Sequence, residues 1–168
     1  MATKQSIVVK VIEQSQVAPP TGSVSTTTGP LTFFDIPWFR SPPVEWIFFY
    51  ELPYTTLHFM QTVLPHLKES LSLTLSHFFP FAGKLTCPPP PHQPYIVYNE
   101  GDAVQVTVSE SDALFNDFVD NHARDVKTLK SFFPKLKVAV CRHPMTCKWC
   151  LLWRFNSSSF QTQASVLG

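Results

Sequence analysis

Charged residues are scarce in this chain. Lys, Arg, Asp and Glu make up 15% of its 168 residues, against about 25% in an average soluble domain, and the formal net charge is +1. A chain this close to neutral lacks the basic surface that nucleic-acid binding requires. Apolar residues account for 44%, which excludes a disordered polar chain and is enough for a sizeable core. We therefore expect a globular domain with no nucleic-acid partner.

Glycine and long apolar runs are also missing. With only five Gly, the chain has no Gly-rich loop of the kind that holds phosphates. No apolar run reaches the roughly 18 residues that a membrane span needs. The short apolar stretch near the N-terminus soon meets Lys10 and Glu13, unlike a signal peptide. We expect a cytoplasmic protein without membrane contact, and in that compartment the four cysteines should be reduced.

Acidic residues disappear before the C-terminal segment. All 12 Asp and Glu lie at or before Asp125, whereas residues 138–168 carry three bases and three of the four Cys. The first 137 residues hold 12 acids and 10 bases, a net charge of −2, and the last 31 hold three bases, a net charge of +3. This shift predicts a domain over residues 1–137 followed by an atypical tail over 138–168.

Proline and phenylalanine are abundant, with 16 and 15 residues, as in a domain with many extended segments and turns. A β-branched run predicts a strand at 6–12. The apolar run at 46–52 is nearly unbroken, which is typical of a strand buried on both faces. Residues 95–100 and 103–110 predict a hairpin around the Gly101-Asp102 turn.

One long amphipathic helix is predicted between these strands. Pro65 is tolerated only near a first turn, so the regular helix should begin close to it, and Pro80 and Gly83 mark its exit. Together with the strands, this helix predicts an α/β fold with a mixed sheet and one long amphipathic helix. Apolar residues spaced by three and four define its buried face: Leu64, Leu67, Leu71, Leu75 and Phe78.

The histidines do not predict a catalytic site. His58, His66 and His77 lie in or beside the predicted helix with one nearby acid, so we interpret them as surface or boundary residues. His122 precedes Asp125 by three residues, a spacing that favours a helix-surface contact over a general base with its orienting carboxylate. We predict no catalytic residue in this chain.

The tail contains a cluster of possible zinc ligands, Cys141, His143, Cys147 and Cys150. Only one Cys-x-x-Cys pair is present, and the Cys141-x-His143 spacing is tighter than usual for zinc. No further ligand follows Cys150. We therefore predict no metal site, although a metal knuckle remains an alternative use of the tail.

Several segments resemble one family in order and spacing: LTFFDIPWF at 31–39, WIFFYEL at 46–52, FFPFAGKL at 78–85 and YIVYNEGDAVQVTVSESDALFNDF at 95–118. They are similar to the N-terminal region of plant BAHD acyltransferases. The nearest branch is that of the anthocyanin or phenolic-glucoside malonyl- and hydroxycinnamoyl-transferases. The resemblance covers about residues 5–137 continuously.

This resemblance implies the N-terminal part of a chloramphenicol-acetyltransferase-like fold. It also implies transfer of an acyl group from acyl-CoA, as co-substrate, to a hydroxyl of a small-molecule acceptor, with no bound cofactor. The family's catalytic His, four residues before an Asp, acts as general base. Neither that motif nor the family's D-F-G-W-G motif occurs here, so no catalytic residue carries over and the chain should be inactive. Trp38 is the one candidate acceptor contact, with a packed core aromatic as the alternative.

The tail is compatible with a reading-frame change. Permitted codons for residues 145–168, read one frame over, encode DMQVVPPLALQ and, further on, FPNSGFSIG, which resembles the family segment before the catalytic His. We therefore interpret residues 138–168 as an out-of-frame tail. A fragment of this kind should expose apolar surface and be poorly soluble. A different class of function stays open, in which the chain is a small binding or decoy protein, or a metal knuckle.

Overall fold

The structure is a computed structural model that describes residues 7–35, 46–89, 91–121 and 123–133 and the backbone of 162–167. Within these ranges, no helix has the length and apolar character to cross a membrane. The described part is a mixed α/β arrangement of two three-stranded sheets and one long helical segment, which confirms the predicted mixture of a sheet and a helix.

The first sheet is built around a central strand. Strand β1 (Val9–Val17) runs antiparallel to β5 (Val104–Ser111), and β6 (Thr162–Leu167) runs parallel to β5 on its other side. The β1–β5 register shifts between Val11 and Glu13. The predicted strand covered residues 6–12, whereas β1 begins at Val9 and ends at Val17.

The second sheet is antiparallel and holds three short strands. Strand β4 (Tyr95–Tyr98) lies between β2 (Thr27–Pro30) and β3 (Lys84–Thr86). The predicted hairpin of 95–100 with 103–110 is wrong, because β4 and β5 belong to different sheets. A tight turn does form, with Gly101 at φ 89° and a hydrogen bond from the Asn99 amide N to an Asp102 carboxylate oxygen at 2.9 Å. After this turn, β5 pairs with β1 instead of β4. In this position, the β5 side chains Val104, Val106 and Val108 are fully buried.

The long helical segment begins nine residues before Pro65. It comprises α1 (Thr56–His58), a π-helical turn (Phe59–Val63) and α2 (Leu64–His77), together 22 residues. The regular α-helix α2 begins at Leu64, which confirms the start predicted near Pro65, and the helical segment extends eight residues further toward the N-terminus. Proline has no amide hydrogen and its ring clashes with the carbonyl one turn earlier. The wider π turn, with Leu64 N bonded to Phe59 O, relieves that clash and lets the helix continue.

Part of the predicted apolar helix face is buried. Leu64 and Leu75 are each 2% exposed and Leu71 packs against the core, but Leu67 and Phe78 are 39% and 54% exposed. The helix lies on the first sheet, where Val104, Val106 and Val108 are fully buried. Phe79, in the 3-10 turn Phe79–Phe81 after α2, packs on Tyr98 with ring centroids 5.5 Å apart. The core has three clusters, one centred on β4 and β5, one on the π turn and one around α3 (Asn116–Val119) and α4 (Val126–Lys130).

Two polar contacts hold the helix on β1. Lys68 forms an ion pair with Glu13, and the Ser72 hydroxyl donates to the Ala18 carbonyl at 2.6 Å. Cys87, in the loop after β3, is disulfide-bonded, so the expectation of four reduced cysteines is wrong at this position. The redox state of a compartment does not determine which thiols lie close enough to pair.

Gly83, in the segment FFPFAGKL, lies against β4. A Cβ at this position would meet Val97 O at 2.8 Å, Ile96 Cγ2 at 3.1 Å and Pro80 O at 3.1 Å. Two of these three atoms belong to the backbone and cannot swing aside. The close approach of β3 to β4 therefore depends on the missing side chain.

We expect Gly83→Ala to lower the free energy of unfolding by about 1–3 kcal/mol, because overpacking forces the backbone apart. Gly29→Ala in β2 is the matched control, since no atom lies within 4 Å of its Cβ position, and it should change stability by less than about 0.5 kcal/mol. Urea denaturation followed by circular dichroism measures both. Equal stability of the two variants would contradict this account of Gly83.

Candidate functional site

Most of the sequence candidates lie outside the described residues. These are Trp38, His122 and the tail group Cys141, His143, Cys147 and Cys150. Asp125, the proposed partner of His122, caps α4 by accepting from the Lys127 amide at 3.1 Å. The cap accounts for that carboxylate without a catalytic role.

The described histidines do not form a base with an orienting carboxylate. The ring of His58 lies 4.6 Å from that of Tyr54, and His66 Nδ1 lies 3.8 Å from a Glu69 carboxylate oxygen, with 77% and 71% of the two side chains exposed. A contact this exposed does not hold an imidazole in one orientation. Across the described ranges, no group of three or more His, Cys, Asp or Glu side chains could hold a metal ion.

The most unusual surface lies on residues 46–54. Trp46, Phe48 and Tyr50 are 73%, 68% and 74% exposed. Their rings stack in sequence, with centroids 6.3 Å and 6.4 Å apart and interplanar angles of 7° and 25°. We call these three side chains the aromatic ladder. A spacing near 6.4 Å is that of every second residue in an extended strand, which rises about 3.3 Å per residue.

The opposite side of this extended segment is anchored in the core. Ile47 and Phe49 pack on the cluster of Ala113, Phe118 and Phe132. The Phe49 ring stacks on that of Phe118 at 5.6 Å, and Phe118 meets Phe132 edge-on at 5.1 Å. Since alternate side chains of a strand point to opposite faces, burying Ile47 and Phe49 presents the aromatic ladder outward. The prediction of burial on both faces is therefore wrong within this structure.

The side chain of Asp102 fixes the turn between β4 and β5. Asp102 accepts from the Asn99 amide N at 2.9 Å and Nδ2 at 3.1 Å and forms an ion pair with Lys84. Burial raises the pKa of Asp102, but the hydrogen bonds from Lys84 and Asn99 outweigh burial and hold that pKa below its usual value. Neighbouring Tyr98 is buried, which raises the pKa of its phenol. These contacts join the segment AGKL to the turn before β5.

The aromatic ladder was not predicted from the sequence. Its signal was present, because the run WIFFYEL places aromatic residues at every second position. What the run could not show is which face the rest of the chain covers. The Lys84–Asp102 pair, 18 residues apart along the chain, had no local signal at all.

The model of the Transferase family matches residues 7–152. A malonyl-coenzyme A:anthocyanin 3-O-glucoside-6''-O-malonyltransferase from Dahlia pinnata is 44% identical over 134 residues, which are 77% of this chain and 29% of the relative.

Two further relatives match to a similar extent. Coumaroyl-CoA:anthocyanidin 3-O-glucoside-6''-O-coumaroyltransferase 1 from Arabidopsis thaliana is 45% identical over 129 residues, 76% of this chain and 28% of the relative. Phenolic glucoside malonyltransferase 1 from Nicotiana tabacum is 43% identical over 127 residues, 75% of this chain and 28% of the relative. The chain spans less than a third of the length of these curated relatives.

The Asp102 contacts predict a pH dependence of stability. Because the folded pKa lies below the unfolded value of about 4, ionised Asp102 stabilises the fold above pH 4, and this contribution is lost as the pH falls through the folded pKa. Asp102→Asn should cost about 1–2 kcal/mol at pH 7, a modest loss because Lys84 is half exposed. The deficit should shrink as the pH is lowered to about 3.

Glu69→Gln is the control, since its side chain is 71% exposed, and it should leave the curve of stability against pH unchanged. Urea titrations between pH 7 and pH 3 provide the measurement. A deficit for Asp102→Asn that stays constant over this range would show that the charge of Asp102 plays no part.

Proposed function

This chain belongs to the Transferase family, the BAHD acyltransferases, and from that membership we propose that it is the N-terminal portion of an acyl-CoA-dependent O-acyltransferase. The proposed acceptors are plant phenolic glucosides or flavonoids. The group transferred is malonyl or hydroxycinnamoyl, and it goes to an acceptor hydroxyl.

The observation that carries the proposal is the identity of 43–45% to three transferases over three quarters of this chain. All three are named for acyl transfer to anthocyanin, anthocyanidin or phenolic glucosides. Their names differ in the acyl group, malonyl or coumaroyl, so the proposal leaves the donor at the level of these two classes.

The chemistry of acyl transfer limits what this chain contributes. A hydroxyl is a weak nucleophile until a base accepts its proton as the oxygen attacks the thioester carbonyl and the thiolate leaves. None of the six His in the sequence has an Asp four residues later, and His58, His66 and His77 are exposed. We propose that the chain supplies framework without the general base and is inactive by itself.

We propose that the two sheets and the long helix form part of a chloramphenicol-acetyltransferase-like domain over residues 1–137. Within it, Trp38 is proposed to contact the acyl acceptor, because an indole offers a planar apolar face to a phenolic ring. We propose a cytoplasmic location, where acyl-CoA thioesters are available.

We expect no acyl transfer by the purified chain. With malonyl-CoA or coumaroyl-CoA and an anthocyanidin 3-O-glucoside, product should not exceed the background without protein, because proton removal has no positioned base. Chromatographic detection of the acylated glucoside is the measurement, and the Dahlia pinnata malonyltransferase is the positive control. Turnover well above background would show that a base exists outside the family motif.

We propose that residues 138–168 are read out of frame. The codons for residues 135–168, sequenced in the transcript, should then open in another frame into a segment that contains His followed four residues later by Asp. The family match extends to residue 152, beyond the proposed frame change at 138, so a transcript in frame through the codon for 152 would contradict a change at 138. If no alternative frame continues into that motif, the proposal for the tail fails.

A further inference from the structure

Strand β5 needs a partner on each of its edges. Among its residues, Val106, Val108 and Ser109 are fully removed from solvent, and Thr107 is 3% exposed. A buried backbone amide or carbonyl without a hydrogen-bond partner is strongly unfavourable, so a strand as deeply buried as β5 cannot leave one edge bare. Strand β1 pairs with the first edge and β6 pairs with the second.

Strand β6 covers the second edge of β5 over most of the length of β5. The six residues of β6 run parallel to Val106–Ser111 without a register shift. The sequence of β6, TQASVL, contains no charged residue, proline or glycine. Each of its amides can therefore donate a hydrogen bond, and nothing in its composition opposes an extended strand.

The order of residue types in β6 agrees with this register. Gln163 is matched with the hydroxyl residue Thr107, and Ser165 is matched with another serine. Ala164, which lies between them in the sequence, is matched with a valine. A slip of one residue would instead pair Gln163 and Ser165 with the valines of β5. The sequence of this part of the tail therefore favours the observed register over the neighbouring ones.

The connection between the two strands allows β6 to come from the same chain. Parallel neighbours require a crossover of a dozen or more residues, and residues 112–161 separate β5 from β6. Tethering on one chain gives β6 a far higher local concentration at β5 than a strand from another copy has. We infer that the second edge of β5 is a strand-binding site whose occupant is residues 162–167 of the same chain.

Closure of this edge gives the tail a role in the fold. An open β5 edge would accept a strand from another copy of the chain, which is the usual route to edge-to-edge aggregation. With β6 in place, the tail blocks that route and its residues 162–167 belong to the folded domain. Strand pairing requires no acyl transfer, so this role is independent of the proposed function.

Amide hydrogen exchange, followed by NMR on the full-length chain, tests this role. Consecutive amides of a strand point to opposite edges, so a strand paired on one edge protects every second amide and a strand paired on both edges protects them all. In the wild-type chain, the consecutive amides of residues 107–110 should therefore all exchange slowly. Fast exchange at every second amide of this stretch overturns the inference.

Ala164→Pro/Ser165→Pro is the disruptive variant. One of two consecutive amides points toward β5, so one of the two prolines removes a hydrogen bond to that strand. Every second amide of residues 107–110 should then exchange at least about tenfold faster, with the amides that face β1 unchanged. Light scattering should also detect soluble aggregates. The control Ala164→Ser/Ser165→Ala keeps both amides and should behave as wild type.

Unchanged exchange in the proline variant overturns the inference. Equal acceleration at the amides that face β1 also overturns it, because the prolines would then act on the whole fold and not on one edge. Analytical ultracentrifugation of the wild-type chain should show a monomer. A wild-type dimer that dissociates in the proline variant would assign the second edge of β5 to β6 of another copy, and so overturn pairing within one chain.

Discussion

The burial of one row of valines on β5 is the constraint on which the rest of the fold depends. Val104, Val106 and Val108 are completely removed from solvent, and each such side chain contributes about 1.5–3 kcal/mol when fully buried. To bury them, β5 must sit between two other strands and beneath the long helix. That requirement separates β5 from β4 and divides the strands between two sheets.

The helical segment covers the whole row because it extends on both sides of Pro65. At one end of the helical segment, Phe59 and Leu64 pack with Val108. Toward the other end, Leu75 packs with Val104 and Val106. A helix that began at Pro65 would leave Val108 without Phe59. Lys68 and Ser72 then hold the helix to β1, so a single strand and a single helix organise most of the described core.

Within the described residues, the segment 46–54 is covered on one side. Among the described residues, Ile47 and Phe49 pack on the cluster around Phe118, and the rings of Trp46, Phe48 and Tyr50 stack on each other. The Dahlia pinnata and Arabidopsis thaliana relatives are more than three times the length of the part that this chain matches.

Local sequence patterns determined the kinds of elements, and tertiary packing determined their partners. The Leu spacing predicted a long helix, the β-branched runs predicted strands, and the family segments predicted the transferase membership. The sequence alone also settled that no His-x-x-x-Asp motif is present. Pairing of β5 with β1 instead of β4, passage of the helix through Pro65 and exposure of the ladder depended on contacts between distant residues, since only a packed core decides which apolar face finds a cover.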